Sequence, residues 1–491
     1  MMNKWVWGLG GVVLVLGGVI AARTATFAPE AVGNGAGIAV AAAPAFDTAL
    51  AAQHLGAAVR IQTVSHQDPA ENQLGEWTRL HDWLTATYPK ASAAMQRQEL
   101  GQTLIYTWPG SDPAAQPIIV MAHQDVVPVT PGTEGDWKHA PFAGEIAEGA
   151  VWGRGSVDDK GSLVGLFEAL EALAGQGFKP KRTIILVTGH DEEVGGTGAE
   201  AAAAWLAAHH TKALFTIDEG GLIATDTPMI NGPAMMIGVA EKGYATLRVT
   251  APAIGGHSSA PPQPSEIGTL NLAKAVLAID AKQFPLELRG PGKSMVEVLA
   301  AKVGGSAKMA AANAWLFGPL LVSKMAASPA SAAMLHTTIA PTMLTGSPKE
   351  NVLPQSATAL INYRIAPWDT SAAVLARAKA ATAGLPVTVA WTERAPQEPS
   401  PVSSSNSPGW NLIAAAALAD HPGTVVSPYL VVAGTDSKHL TPVSNDVYRF
   451  QAISLASTDI KMIHGTNEHM TLDNLTSLIR FYARLIATAA G

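Results

Sequence analysis

The 491-residue chain contains no cysteine. Structural disulfides and thiolate metal sites are excluded, but the compartment stays open, because an oxidising space permits disulfides without requiring them. Charge is also scarce: Asp, Glu, Lys and Arg supply 14% of residues, and the net charge is −7. Without a basic excess, nucleic acid is not expected as a partner. No G-x-S-x-G stretch occurs, which sets aside the elbow-type serine hydrolase. What is plentiful is apolar side chain, 48% of residues, the composition of a globular protein with a sizeable core.

One run is strikingly free of charge: Trp5 to Ala22, between Lys4 and Arg23. As a helix its eighteen residues would extend roughly 27 Å, near the ~30 Å of a bilayer interior. The expectation is an exported chain, anchored in a membrane and facing the periplasm or exterior, or secreted if the segment is cleaved. An Ala/Gly-rich linker follows, so residues 1–44 form the anchor and linker. Strand-like runs ("PIIVMA", "RTIILVT", "ALFTI") then alternate with helix-like ones such as "KGSLVGLFEALEALAG". That alternation predicts an α/β catalytic domain with a central, mostly parallel sheet over 45–240. From Glu241 the strands alternate apolar and polar residues, which predicts an inserted α+β lid over 241–400. Within it, Phe284 to Pro341 is a Pro/Gly-interrupted apolar excursion. After a Pro/Ser linker, 401–491 completes the catalytic domain.

The stretch "IILVTGHDEEVGG" places Asp191, Glu192 and Glu193 directly after a buried strand. The same placement recurs in "IIVMAHQD", with His123 and Asp125, and in "LFTIDEGG", with Asp218. "GRGSVDDKG" sets Asp158 and Asp159 just before a helix. Sites on parallel sheets form outside the carboxyl ends of strands, so these groups should converge. Bare carboxylates packed together would repel and take up protons, whereas divalent cations reverse that balance. Each group also has a plain explanation: Asp158 and Asp159 as helix caps, the triple acid as a solvated loop, His123 as a core histidine. The joint pattern favours metal.

These motifs, with "HGTNEH" near the C-terminus, resemble the co-catalytic zinc aminoacylase and carboxypeptidase family, which includes glutamate carboxypeptidase, carnosinase and acetylornithine deacetylase. The resemblance runs from about Phe46 to the end. It is nearest the branch of carboxypeptidase S and the N-fatty-acyl-amino-acid synthase/hydrolases, through the excursion and the "GTDSKH" loop. It implies His123, Asp158, Glu193, Asp218 and His464 as ligands of two Zn²⁺, with Asp158 bridging and Mn²⁺ or Co²⁺ as workable substitutes. Asp125 would orient His123 through its other ring nitrogen. Glu192, unligated, would be the general base. The Asp158–Asp159 peptide is often cis in this family. In the lid, His257 would polarise the scissile carbonyl, in dimeric relatives from the partner subunit, which leaves a homodimer open. Asn351 and Arg364, with the backbone at Gly434, would hold a free substrate carboxylate.

The implied activity is hydrolysis of the amide bond of N-acyl amino acids, including N-fatty-acyl ones, beside a free carboxylate. A carboxypeptidase or dipeptidase acting on short peptides is the alternative, and a non-catalytic membrane-tethered binding protein is the alternative of another class. The apolar residues Trp315, Leu316, Phe317, Leu320 and Leu321 are weighed as core or as a wall for an acyl chain.

Overall fold

The computed structural model describes residues 2–29, 31–227, 230 and 232–491, with the side chains of 2–13 outside the description. The buried runs form a ten-stranded sheet. Its strands are β1 (Gln96–Leu100), β2 (Thr103–Trp108), β3 (Ile118–His123), β4 (Ile184–Gly189), β5 (Phe215–Asp218), β6 (Ile223–Thr227) and β7 (Gly232–Glu241). A second, four-stranded sheet contains β8 (Gly243–Pro252), β10 (Thr338–Thr345), β12 (Ser356–Ile365) and β13 (Thr388–Trp391). A short ribbon pairs β9 (Gly256–His257) with β11 (Val352–Leu353). The chain then returns to the large sheet with β14 (Val425–Val431), β15 (Val447–Arg449) and β16 (Ser454–Leu455).

At the centre of the large sheet, β4, β3, β5 and β15 run parallel. The first two strands join it antiparallel. Strand side chains alternate between faces, and the cores follow that alternation. Ile118, Val120, Ala122, Ile184 and Leu186 meet α2 (Lys160–Gly175) and α9 (Leu472–Ala490). Ile119, Met121, Ile185 and Val187 meet α3 (Thr197–Ala208). Helices on both faces explain why these strands read as unbroken apolar runs. The smaller sheet is covered by α4 (Gly268–Asp280) and α8 (Ser371–Ala381), with Leu247, Val249, Ile361 and Val374 between the layers.

The excursion folds differently from a simple lid insertion. It forms α5 (Gly290–Val303), α6 (Gly305–Ala312) and α7 (Ala314–Met325). Met295, Val296 and Leu299 of α5 pack against Ala234, Ala240 and Leu430 of the large sheet. Of α7, only Met325 is buried, while Trp315, Leu316 and Leu320 are exposed. The segment expected as an anchor lies in α1 (Met2–Thr26). Part of it falls on residues whose side chains are outside the description. Among the described residues no helix is long and apolar enough to cross a membrane, so the expected span finds no support.

Candidate metal centre and substrate cavity

The carboxyl ends of β3, β4 and β5 deliver His123, the Asp191–Glu193 turn and Asp218 to one edge of the large sheet. The three consecutive acids divide their work there. Asp191 accepts from the backbone N–H groups of Thr197 and Gly198 at 2.9 and 2.8 Å, so it caps α3. Glu192 and Glu193 turn towards the site. Their backbone N–H groups donate to the two oxygens of Asp125 at 3.1 and 3.2 Å. Asp125 is fully buried and also accepts from Ser65 Oγ at 2.6 Å. It therefore aims the Glu192–Glu193 turn as well as His123, whose Nδ1 lies 3.0 Å from the Asp125 main-chain oxygen and 3.3 Å from its carboxylate. The sequence suggested only the histidine contact.

Asp158 occupies the middle of the group. Its Oδ1 lies 3.0 Å from His123 Nε2 and its Oδ2 lies 3.1 Å from His464 Nε2. The His464 ring also approaches Glu193 at 3.0 Å. His123, Asp158 and Glu193 each offer a ligand atom, and these atoms fall within 4.8 Å of one another. The Asp158–Asp159 peptide is cis. Asp159 stands at the start of α2 but makes no capping bond; its carboxylate accepts from His123 N–H at 3.1 Å and from Gln451 Nε2 at 2.8 Å. The plain helix-cap explanation thus fails for this pair. Asp218 is buried at the same edge and accepts from Ser437 N–H at 2.9 Å; among the described residues no hydrogen bond or ion pair joins it to His123, Asp158, Glu193 or His464.

Electrostatics favour a cation. Burial, and after it the charge of Asp158, pushes the Glu193 carboxyl up to about 7. Burial likewise raises Glu192, Asp218 and Asp436. Hydrogen bonds to Asp158 and Glu193 push the His464 imidazole up to about 10. A divalent ion would neutralise the acids and take the lone pairs of the two imidazoles, and the oxygen and nitrogen donors suit zinc. The residues present therefore fit the group.

Glu468 holds the centre together. Its buried carboxylate accepts from Arg154 Nη1 at 2.6 Å and from the N–H groups of Gly155, Val157 and Asp158 at 3.0, 2.9 and 3.1 Å. Arg154 Nη2 in turn donates to Gly465 O at 2.9 Å, beside His464. One carboxylate thus fixes two ligand loops far apart in sequence. Sequence reasoning missed it, although it lies inside the quoted "HGTNEH". Glu468→Gln is expected to weaken metal affinity by about 10–100-fold, read by titration with a competing chelator.

Glu192, Glu193 and His464 open onto a cavity of about 360 Å³. Lys242, Tyr244, Arg364, Arg394 and Gly434 form its other side. The Arg364 guanidinium sits 4.8 Å from the Tyr244 ring centre, and that of Arg394 sits 5.5 Å from it. Among the described residues, no carboxylate pairs with Arg364, which argues against an ordinary strand salt bridge. Arg394 and Tyr244 carry no motif that would have marked them. His257 and Asn351 are not brought to this cavity. They neighbour one another on the β9–β11 ribbon, where Ser258 N–H donates to Asn351 O at 3.1 Å. His257 is exposed, its Nδ1 2.7 Å from Ser259 Oγ. The α7 residues weighed as an acyl-chain wall also lie outside the cavity lining.

Residues 119–488 match the profile of the peptidase family M20/M25/M40. A probable carboxypeptidase S-like 2 of Dictyostelium discoideum is 32% identical over 89% of this chain and 84% of its own. An N-fatty-acyl-amino acid synthase/hydrolase, PM20D1.1, of Danio rerio is 35% identical over 87% of this chain and 84% of its own. Among solved structures, the M20 family metallo-carboxypeptidase Sso-CP2 from Sulfolobus solfataricus aligns with a TM-score of 0.67 at 16% identity, covering 89% of this chain and 99% of that one.

Proposed function

The chain belongs to the peptidase family M20/M25/M40 and is a metallohydrolase of that family, and from that premise we propose that it cleaves the amide bond of N-acyl amino acids beside a free carboxylate. The observation that carries the substrate side is Arg364: a partly buried guanidinium, stacked on Tyr244 and without a carboxylate partner among the described residues, facing Glu192 across one cavity. Its planar fork suits a substrate carboxylate in two parallel hydrogen bonds, with Gly434 beside it.

Two zinc ions, held by His123, Asp158, Glu193, Asp218 and His464, would supply Lewis acidity and an activated water. Asp158 would help to hold both ions, because its two oxygens face different imidazoles. Asp125 keeps the Glu192–Glu193 turn and the His123 ring in place. Glu192 takes the proton from the attacking water and returns it to the leaving amine. His257 and Asn351 complete the site only when the β9–β11 ribbon moves or a second copy of the chain supplies it. That is the reason for retaining a homodimer. Export, with the N-terminal segment either kept as an anchor or removed, remains part of the proposal on the strength of the uncharged run Trp5–Ala22.

The names of the relatives divide the substrate class between fatty-acyl amino acids and peptides. A hydrolysis panel from N-acetyl to N-oleoyl amino acids, beside dipeptides and with and without chelator, decides between them. Arg364→Ala should raise KM for free acids by about 100-fold or more, and leave the matching amino-acid amides unaffected. Equal losses on acid and amide would overturn the carboxylate assignment.

A further inference from the structure

We propose that α7, with the exposed side of α1, forms a docking surface for an anionic lipid bilayer. Helix α7 turns Trp315, Leu316 and Leu320 to solvent at 55, 40 and 52% exposure, although nearly every other large apolar side chain of a helix this apolar would be expected inside. Helix α1, which packs on α6, exposes Leu14, Val15 and Val19. Helix α1 is fastened at the junction of α6 and α7. Asn313 Nδ2 donates to Thr24 Oγ1 at 3.2 Å, and Arg23 Nε donates to Ala312 O at 3.2 Å. The apolar surface is therefore one feature built from two distant parts of the chain.

Charge identifies the occupant. The chain as a whole carries 39 acids against 32 Lys and Arg. No acid occurs before Glu30 or between Glu297 and Glu350, the two segments that build this surface. Their charges are all basic: Lys4, Arg23, Lys302, Lys308, Lys324 and Lys349. Lys302 and Lys324 are exposed. An apolar face built from segments whose only charged residues are cations matches the composition of an interfacial surface: aromatic and aliphatic groups enter the acyl boundary while lysines meet anionic headgroups. A two-fold contact with a second copy fits less well, because it would set these basic segments against themselves. Docking needs no membrane-spanning helix.

The surface also connects to the cavity. The segment after α7 reaches Lys242 of the cavity wall, whose Nζ donates to Ala333 O at 3.0 Å and to His336 O at 2.8 Å. Docking would thus hold the cavity near a membrane, where long-chain amphiphiles partition; this last clause alone rests on the proposed substrate class.

The test is co-sedimentation of the full chain with phosphatidylcholine vesicles and with phosphatidylcholine–phosphatidylglycerol vesicles, at low and high salt, without substrate. The wild type should bind the anionic vesicles more tightly, and less so at high salt. Trp315→Ser/Leu316→Ser/Leu320→Ser should weaken that binding by at least about tenfold. Hydrolysis of a soluble N-acetyl amino acid should be unchanged, since α7 does not line the cavity. Lys308→Glu/Lys324→Glu, which leaves the apolar groups intact, should reduce the preference for anionic vesicles; it carries the test if the triple variant fails to fold. Wild-type indifference to anionic vesicles, or unchanged binding by the folded variants, would overturn the proposal. So would a wild-type dimer that the triple variant dissolves. Because binding is read without turnover, a wrong substrate class would leave the result intact.

Discussion

Glu192→Gln should retain its metal and lose about 10²–10⁴-fold in kcat, the range that a positioned general base contributes. The substitution is nearly isosteric, and the backbone N–H that donates to Asp125 is untouched, so the turn should hold. Among the described residues no donor bonds to the Glu192 carboxylate, which leaves it free to face the cavity. Burial raises this carboxyl above its ordinary range, with Asp436 and Glu193 adding to the effect and His123 opposing it. A base must be ionised to act. The rate should therefore fall as pH drops through the raised value, and the glutamine variant should lack that acidic limb. Steady-state kinetics across pH, with metal content measured on the same samples, checks both halves. Full activity in the variant would remove Glu192 from the chemistry.

Asp158→Asn is expected to have the larger effect on the metal itself. Both oxygens of Asp158 face imidazoles, and Glu468 fixes its backbone N–H, so one side chain serves both halves of the centre. The amide removes one anionic charge and turns half of the group into a donor. Affinity should fall well beyond the ~10–100-fold expected for an outer partner such as Glu468. Activity at limiting zinc should disappear. Excess zinc should restore the Glu468→Gln protein far better than Asp158→Asn, a comparison that separates ligation from support.

Much of this site was readable before any coordinates. Buried strands announce themselves as unbroken β-branched runs, and the groups that follow them must emerge at one sheet edge. His123 and Glu193 follow such strands, whereas Asp158 and His464 were marked only by the motifs of the resemblance. The structure links the four in a chain of contacts, His123 to Asp158, Asp158 to His464 and His464 to Glu193, at 3.0, 3.1 and 3.0 Å. Asp218 reaches the same edge, with no hydrogen bond or ion pair to them among the described residues. Other features were illegible for physical reasons. Glu468 acts through backbone N–H groups, which have no sequence signature. Arg394 and Tyr244 reach the cavity through tertiary packing, without a motif. His257 and Asn351 sit on a ribbon whose position relative to the cavity no local pattern specifies. Apolar spacing in α7 resembled a pocket wall or a core stripe, because periodicity records which residues share a face but not what covers it.

The most direct measurement of the central claim is the metal content of the full-length protein, by mass spectrometry of the native state, beside its hydrolytic rate before and after chelation. Two zinc ions per chain, loss of activity on removal and recovery on readdition are the results expected. Undiminished hydrolysis by a protein proven free of metal would contradict the account.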